Sequence, residues 1–209
     1  MFTSLISSAK ITHILDVSVL LFLRSLWHLL CLLPILIIPS TSFTASRDYQ
    51  IEIIKSLQEL VIKKKDFVVK KFKVSYGRGA KGGKRRFGDN KTPTGRYKIM
   101  KFKSNSKFHY FMLIDYPNLL DAWHGYREQL ITSAEFKQIA TAYKNKQMPP
   151  QNTALGGYIG IHGIGKLNNS KLNIHRYFNW TEGCIALTNK EINELQKYVS
   201  IGTSVTIKE

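Results

Sequence analysis

Between residues 160 and 189 the chain reads G-I-H-G-I-G-K-L-N-N-S-K-L-N-I-H-R-Y-F-N-W-T-E-G-C-I-A-L-T-N, which sets an imidazole, His162, and a thiol, Cys184, each beside glycine. Two strands and the segment between them can bring such a pair together, and a thiol with an adjacent base is a standard nucleophile. Free cysteine is mostly protonated near pH 7, and a neighbouring imidazolium or oriented backbone amides stabilise the thiolate that attacks. The chemistry suggested is acyl transfer through a thioester. The tetrahedral oxyanion of that reaction needs donors aimed at it, and the backbone N–H groups of Gly183 and Cys184 are the candidates, since glycine lets a substrate approach closely. Thr181 and Asn189 suit substrate binding, but threonine and asparagine also suit a turn and a cap.

The bland alternatives are specific. A lone cysteine is most often packing, and a lone histidine is more often a satisfied core residue than a base. Gly77, Gly79 and Gly82 match G-x-G-x-x-G, yet K-R-R-F-G-D-N-K-T-P follows in place of the amphipathic helix a dinucleotide site requires. Gly160, Gly165 and Lys166 nearly spell a phosphate-binding loop, but Leu167 stands where a metal-binding hydroxyl belongs. His109, His124, His162 and His175 lack the paired spacing of a zinc site, so neither a metal nor another cofactor is expected.

Length and charge limit the rest. The chain has 209 residues, 31 basic and 14 acidic side chains and a formal charge of +17. Such a surface seeks anionic partners: nucleic acid, membrane headgroups or an anionic wall polymer. Residues 1–46 resemble an export signal or N-terminal anchor, with Arg24 ahead of an apolar run at 26–38 that is short for a membrane span. A second apolar run at 17–23 makes the segment longer than usual. Removal of this segment would leave one domain of roughly 165 residues, large enough to bury its own core. Cys31 falls in the apolar run, so Cys184 would be the one thiol of an exported domain. An unpaired thiol in an oxidising space is better explained by chemistry than by structure.

Several elements must position the pair. Ser46 or Asp48 caps an expected short helix with Ile51, Ile54, Leu57 and Val61 at helical spacing, so 47–66 reads as a helix or linker ahead of a domain at 67–209. Residues 67–76 alternate as a half-buried strand, with Phe72, Val74 and Tyr76 inward and Lys71, Lys73 and Ser75 outward. Residues 77–90 form a glycine-rich basic loop. Strands follow at 96–103 and 108–114, with a turn at Pro117 and Asn118. Ser133 opens a helix with Phe136, Ile139, Ala140 and Tyr143 inward, ended by Pro149 and Pro150. Residues 158–162 form a buried strand that delivers His162. Thr188 and Glu191 form a capping box for a helix with Ile192, Leu195 and Val199, and a last strand runs over 203–207. The fold class expected is mainly β or α+β, a mixed sheet or sandwich with a few peripheral helices.

V-S-Y-G, G-D-N-K-T-P-T-G-R-Y, I-H-G and T-E-G-C-I-A-L-T-N, in that order, resemble the catalytic domain of the L,D-transpeptidases, also called the YkuD domain, over about 67–207. The family pattern is a histidine in an H-G pair, then [ST]-x-G-C with an asparagine shortly after, matched here by Thr181, Gly183, Cys184 and Asn189. N-S-K-F-H-Y-F-M-L-I-D-Y-P-N is similar to the branch acting on protein-to-wall links. The resemblance implies that Cys184 attacks the bond between the diamino acid and the terminal D-alanine of a peptidoglycan tetrapeptide stem, with His162 as base. It implies that a backbone carbonyl, here that of Gly163, orients the imidazole. An amine of another stem or of a wall-attached protein would resolve the thioester, or water would. The partners implied are stem peptides, with no nucleic acid, membrane contact only through an uncleaved N-terminus, and a monomer in the periplasm or cell wall of a bacterium. Two departures stand out: Ala186 replaces a common arginine, whose task falls to Arg176 or a loop lysine, and the interval from His162 to Cys184 is long and carries His175, read as a surface residue. A basic binding module without catalysis is the competing class; it explains the charge but neither I-H-G nor T-E-G-C.

Overall fold

The computed structural model describes residues 48–209. Ser46, both apolar runs and Cys31 lie outside the described residues. Those described form a mixed eight-stranded sheet with four α-helices: β1 (Tyr49–Ile54), β2 (Glu59–Lys64), β3 (Phe67–Lys73), β4 (Gly95–Ser106), β5 (His109–Ile114), α1 (Leu119–Arg127), α2 (Ser133–Lys144), β6 (Gly160–His162), α3 (Asn169–Tyr177), β7 (Ile185–Ala186), α4 (Asn189–Leu195) and β8 (Ser204–Lys208). The strand order is β3-β2-β1-β8-β4-β5-β6-β7.

The helix expected over 51–61 is instead the antiparallel hairpin β1–β2, with Ile51 opposite Ile62 and Ile53 opposite Leu60. The helical spacing was an accident of sequence. Four of the apolar positions in Q-I-E-I-I and L-V-I-K are isoleucines, which are stiff at χ1 and favour a pleated surface. Ile51, Ile53, Leu60 and Ile62 alternate into the core, while Leu57 sits exposed in the hairpin turn. The hairpin therefore belongs to the sheet and is no linker.

β4 is the long strand that ties the sheet together. Its first residues pair with β8, Tyr97 opposite Val205, and its later ones with β5, Phe102 opposite Met112. β3 and β7 end the strand order, but the chain leaving β3 returns to β7. The Ser75 N–H donates to the Ala186 carbonyl at 3.0 Å and the Ala186 N–H to the Ser75 carbonyl at 2.7 Å. The sheet thus curls until its two ends meet around a core that includes Tyr97, Ile99, Met112, Ile161, Ile185 and Leu187. Each such buried side chain contributes ~2 kcal/mol. This closure also corrects Ser75, which is buried, with its hydroxyl on the Phe178 carbonyl, because the strand edge beyond Val74 is covered.

Two helices escaped the sequence reading. α1 begins at Asn118, whose side chain accepts from the Leu120 and Asp121 amides, and α3 begins at Asn168 within the interval between the histidine and the cysteine. α2 turns Ile139 and Ala142 inward and leaves Tyr143 exposed, a rotation from the expected face. Thr132, one residue before the expected start, is its cap. α4 carries the expected capping box of Thr188 and Glu191.

Candidate active site

The register of two short strands sets the site. β6 and β7 are parallel, with Ile161 opposite Ile185 and His162 opposite Ala186. Side chains alternate across a strand, so Cys184, one residue before Ile185, projects to the same face as His162, offset diagonally from it. Gly160 is the residue beside Cys184, and its missing side chain leaves the sulfur approachable; a Cβ there would strike the Phe111 ring at 2.6 Å and the Met112 carbonyl at 2.4 Å.

His162 is almost fully buried. Its Nδ1 lies 2.7 Å from the Gly163 carbonyl, the bond that fixes the proton on Nδ1 and leaves Nε2 basic. Phe108 stacks on the imidazole with centroids 4.3 Å apart, Phe111 stacks at 5.6 Å, and Trp180 meets it edge-on at 6.0 Å. Desolvation by these rings pushes the imidazole down to about 4, against the opposing bond to Gly163.

Cys184 is half-buried and unpaired, and its thiol donates to the Tyr158 carbonyl at 3.5 Å. Desolvation pushes the thiol up to about 11, while the Gly160 backbone amide and the charge of Lys84 pull the other way. Desolvation thus favours the neutral thiol and the neutral imidazole, and of the two supports considered for the thiolate, an imidazolium or backbone amides, it works against the imidazolium. For His162 the aromatic walls are the physical reason, because a charge on the ring would be poorly solvated.

The remaining expected residues hold backbone. The Thr181 hydroxyl donates to the Cys184 carbonyl at 2.6 Å and accepts from the Gly183 N–H at 3.2 Å, so it closes the T-E-G-C turn. The Gly183 amide, expected as an oxyanion donor, is thus engaged internally, which leaves the Cys184 N–H as the donor on the nucleophile itself. Gly183 has φ of 134°, and a Cβ there would lie 2.7 Å from the Lys91 carbonyl. Asn189 accepts from the Gly165 N–H at 3.0 Å and donates to the Gly165 carbonyl at 2.8 Å. It clamps the turn after His162, and both its bonds face that turn in place of a substrate.

Sequence reasoning missed the aromatic box. Phe111 is the cross-strand partner of His162; the signal was the F-H-Y-F run, whose pairing partner no local pattern reveals. His175 is also more than a surface residue: half-buried on α3, it accepts a hydrogen bond from the Trp180 indole at 3.3 Å, so it holds the ring that closes on His162. Of the two suggested replacements for the missing arginine, Arg176 is exposed and lies over Tyr177. Lys84 is buried, ion-paired to Asp89 at 2.9 Å, and its charge acts on Cys184. The basic loop at 77–90 is accordingly fastened: the Asp89 carboxylate also accepts from the Arg85, Arg86 and Lys91 amides. Among the described residues, no cluster of three His, Cys, Asp or Glu side chains is placed to hold a metal ion.

Solved structures with a similar fold include the helical cell shape determining protein Pgp2 from Campylobacter jejuni, at 22% identity and a TM-score of 0.49, covering 77% of this chain and 48% of that one. Bd1075 from Bdellovibrio bacteriovorus matches at 20% identity and a TM-score of 0.47, covering 77% of this chain and 47% of that one. An L,D-transpeptidase from Mycobacterium smegmatis matches at 12% identity and a TM-score of 0.43, covering 78% and 59%. The chain spans about half the length of the first two. No curated protein matches it. The family model of the L,D-transpeptidase catalytic domain, YkuD, matches residues 48–207, which takes in the β1–β2 hairpin as well as the site, and the chain belongs to that family.

Proposed function

We propose that this protein is a cysteine-dependent peptidoglycan L,D-transpeptidase. The observation that carries the reading is the placement of Cys184 and His162 on one face of two adjacent parallel strands, with His162 Nδ1 held by the Gly163 carbonyl. The thiol attacks the carbonyl of the diamino acid in a tetrapeptide stem while its proton passes to His162 Nε2. The oxyanion takes the Cys184 N–H. As the C–N bond breaks, the imidazolium returns that proton to the departing D-alanine amine, leaving a thioester. An amine of a second stem, or of a wall-attached protein, then attacks; its proton goes to His162 and the thiol is restored. Water in place of the amine makes the same site an L,D-carboxypeptidase or a hydrolase of protein-to-wall links. The desolvation of His162 supports this order of events, because the neutral imidazole is the form that accepts the thiol proton.

Residues 1–46 act as an export signal or anchor in this reading, and the domain works in the periplasm or cell wall as a monomer. The test is incubation of the purified protein with defined muropeptides, products being identified by mass, with Cys184→Ala alongside. Loss of D-alanine and formation of stem-to-stem cross-links by the wild type alone supports the proposal. Absence of any Cys184-dependent product from tetrapeptide stems overturns it. Product lacking D-alanine but without cross-links assigns the carboxypeptidase outcome.

A further inference from the structure

One end of the sheet carries a surface that the site does not use. Tyr49, the first residue of β1, stands opposite Lys64, the last of β2, and Lys64 stands opposite Phe67, the first of β3. β8 runs parallel to β1 with Ser204 opposite Gln50, so the turn at Ile201 lies at the same end; Tyr198, just before it, packs edge-on against Tyr49 with centroids 5.3 Å apart. Phe67 is 77% exposed, Val68 54%, Val69 41% and Ile201 65%. Three consecutive exposed apolar residues are an anomaly on a soluble surface unless something covers them. The exposed Lys64 and Lys65 lie just ahead of them, with two exposed carboxylates at the same end, Asp66 before Phe67 and Asp48 before Tyr49.

An uncleaved N-terminus would bring a bilayer to this tip. The apolar run at 26–38 lies about ten residues ahead of Tyr49, a tether that reaches at most ~35 Å. Whatever bilayer receives that run is therefore within reach of the end of the domain at which the tether joins. Apolar side chains beside lysines are the composition of a segment that lies in the headgroup region of an anionic bilayer. We infer that the β2–β3 tip, with Ile201, docks on an anionic phospholipid surface. β3 then points away from the bilayer. Its continuation reaches Ser75, bonded to Ala186 beside the nucleophile, about 25 Å along the strand. Docking would present Cys184 outward, away from the lipid, and does not depend on which acceptor resolves the thioester.

The full chain is reconstituted into vesicles of brominated phosphatidylglycerol with phosphatidylethanolamine, or of brominated phosphatidylcholine alone, as Phe67→Trp or as Leu57→Trp. Leu57 is 60% exposed in the turn at the opposite end of the same hairpin, so it controls for folding and for insertion of the N-terminal run. Emission added by Trp at 67 should fall by about half in phosphatidylglycerol vesicles, as a ring sunk to the acyl boundary would, while that at 57 holds. Adding Lys64→Glu and Lys65→Glu should restore the lost emission. Equal emission at 67 and 57 overturns the inference, as does a chain that does not sediment with the vesicles. Equal quenching in phosphatidylcholine removes the anionic headgroup from it. Concentration-dependent dimers in detergent that Phe67→Ser dissolves would assign the tip to a second copy and overturn it too.

Discussion

The resting state of Cys184 can be read directly from its reaction with an alkylating reagent across pH. A free cysteine near pKa 8.5 holds about 3% thiolate at pH 7. With the thiol pushed up to about 11 by desolvation, the thiolate is about one part in ten thousand at pH 7, a few hundredfold less. Only the thiolate is alkylated, so the rate constant with iodoacetamide should rise about tenfold for each pH unit between 7 and 10. The modified Cys184 peptide, followed by mass, separates this thiol from Cys31. His162, pushed down to about 4, is neutral over that whole range. His162→Gln should therefore leave the alkylation profile within about threefold, since no imidazolium supports the thiolate, while abolishing Cys184-dependent turnover. A plateau of alkylation below pH 7 that disappears in His162→Gln would mean a thiolate–imidazolium pair at rest, and would refute the argument from burial.

Other outcomes follow from single contacts. Asp89→Ala removes the partner of Lys84, whose side chain is only 3% exposed; stability in urea should fall by about 3 kcal/mol, and Asp89→Ala with Lys84→Met should regain most of it. Asn189→Ala leaves the Gly165 N–H and carbonyl unsatisfied, so the melting temperature should drop by several degrees for a cost of about 2 kcal/mol, with kcat falling more than KM changes. Burial raises the Asp121 carboxyl to about 6, with the Tyr97 hydroxyl bond and the Asn118 amide opposing. The fold therefore favours the protonated acid: this stability is complete below about pH 4 and is lost as pH rises through 6, a change of roughly 3 kcal/mol. Asp121→Asn should flatten that slope, so that it gains on the wild type at pH 8 relative to pH 5 in thermal melts.

Much of the strand pattern was legible: β3 from its alternation, which reports burial on one face, and β6 from a short apolar run flanked by glycine, while β4, β5 and β8 lie close to where strands were expected. The capping box of Thr188 and Glu191 was legible because capping is satisfied within four residues. α1 was legible in principle by the same rule, in Asn118 and Asp121, but the turn signal of Pro117 masked it. The hairpin β1–β2 was misread because helical spacing and β-branched content competed, and the decision rested with β8, whose pairing with β1 no local window contains.

For the site, residue types alone determined that a thiol and an imidazole beside glycines could do acyl transfer, since that depends on functional groups and on which positions lack a side chain. Their charge state was decided elsewhere. It follows from Phe108 and Phe111, brought by β5, and from Trp180, held by His175 on α3, which together exclude water from His162. The roles of Thr181 and Asn189 were likewise undecided until the T-E-G-C turn and the I-H-G-I-G turn had closed on them. Functional groups are written in the sequence; solvation and hydrogen-bond partners belong to neighbours distant along the chain, and only the closed sheet brings those neighbours into place.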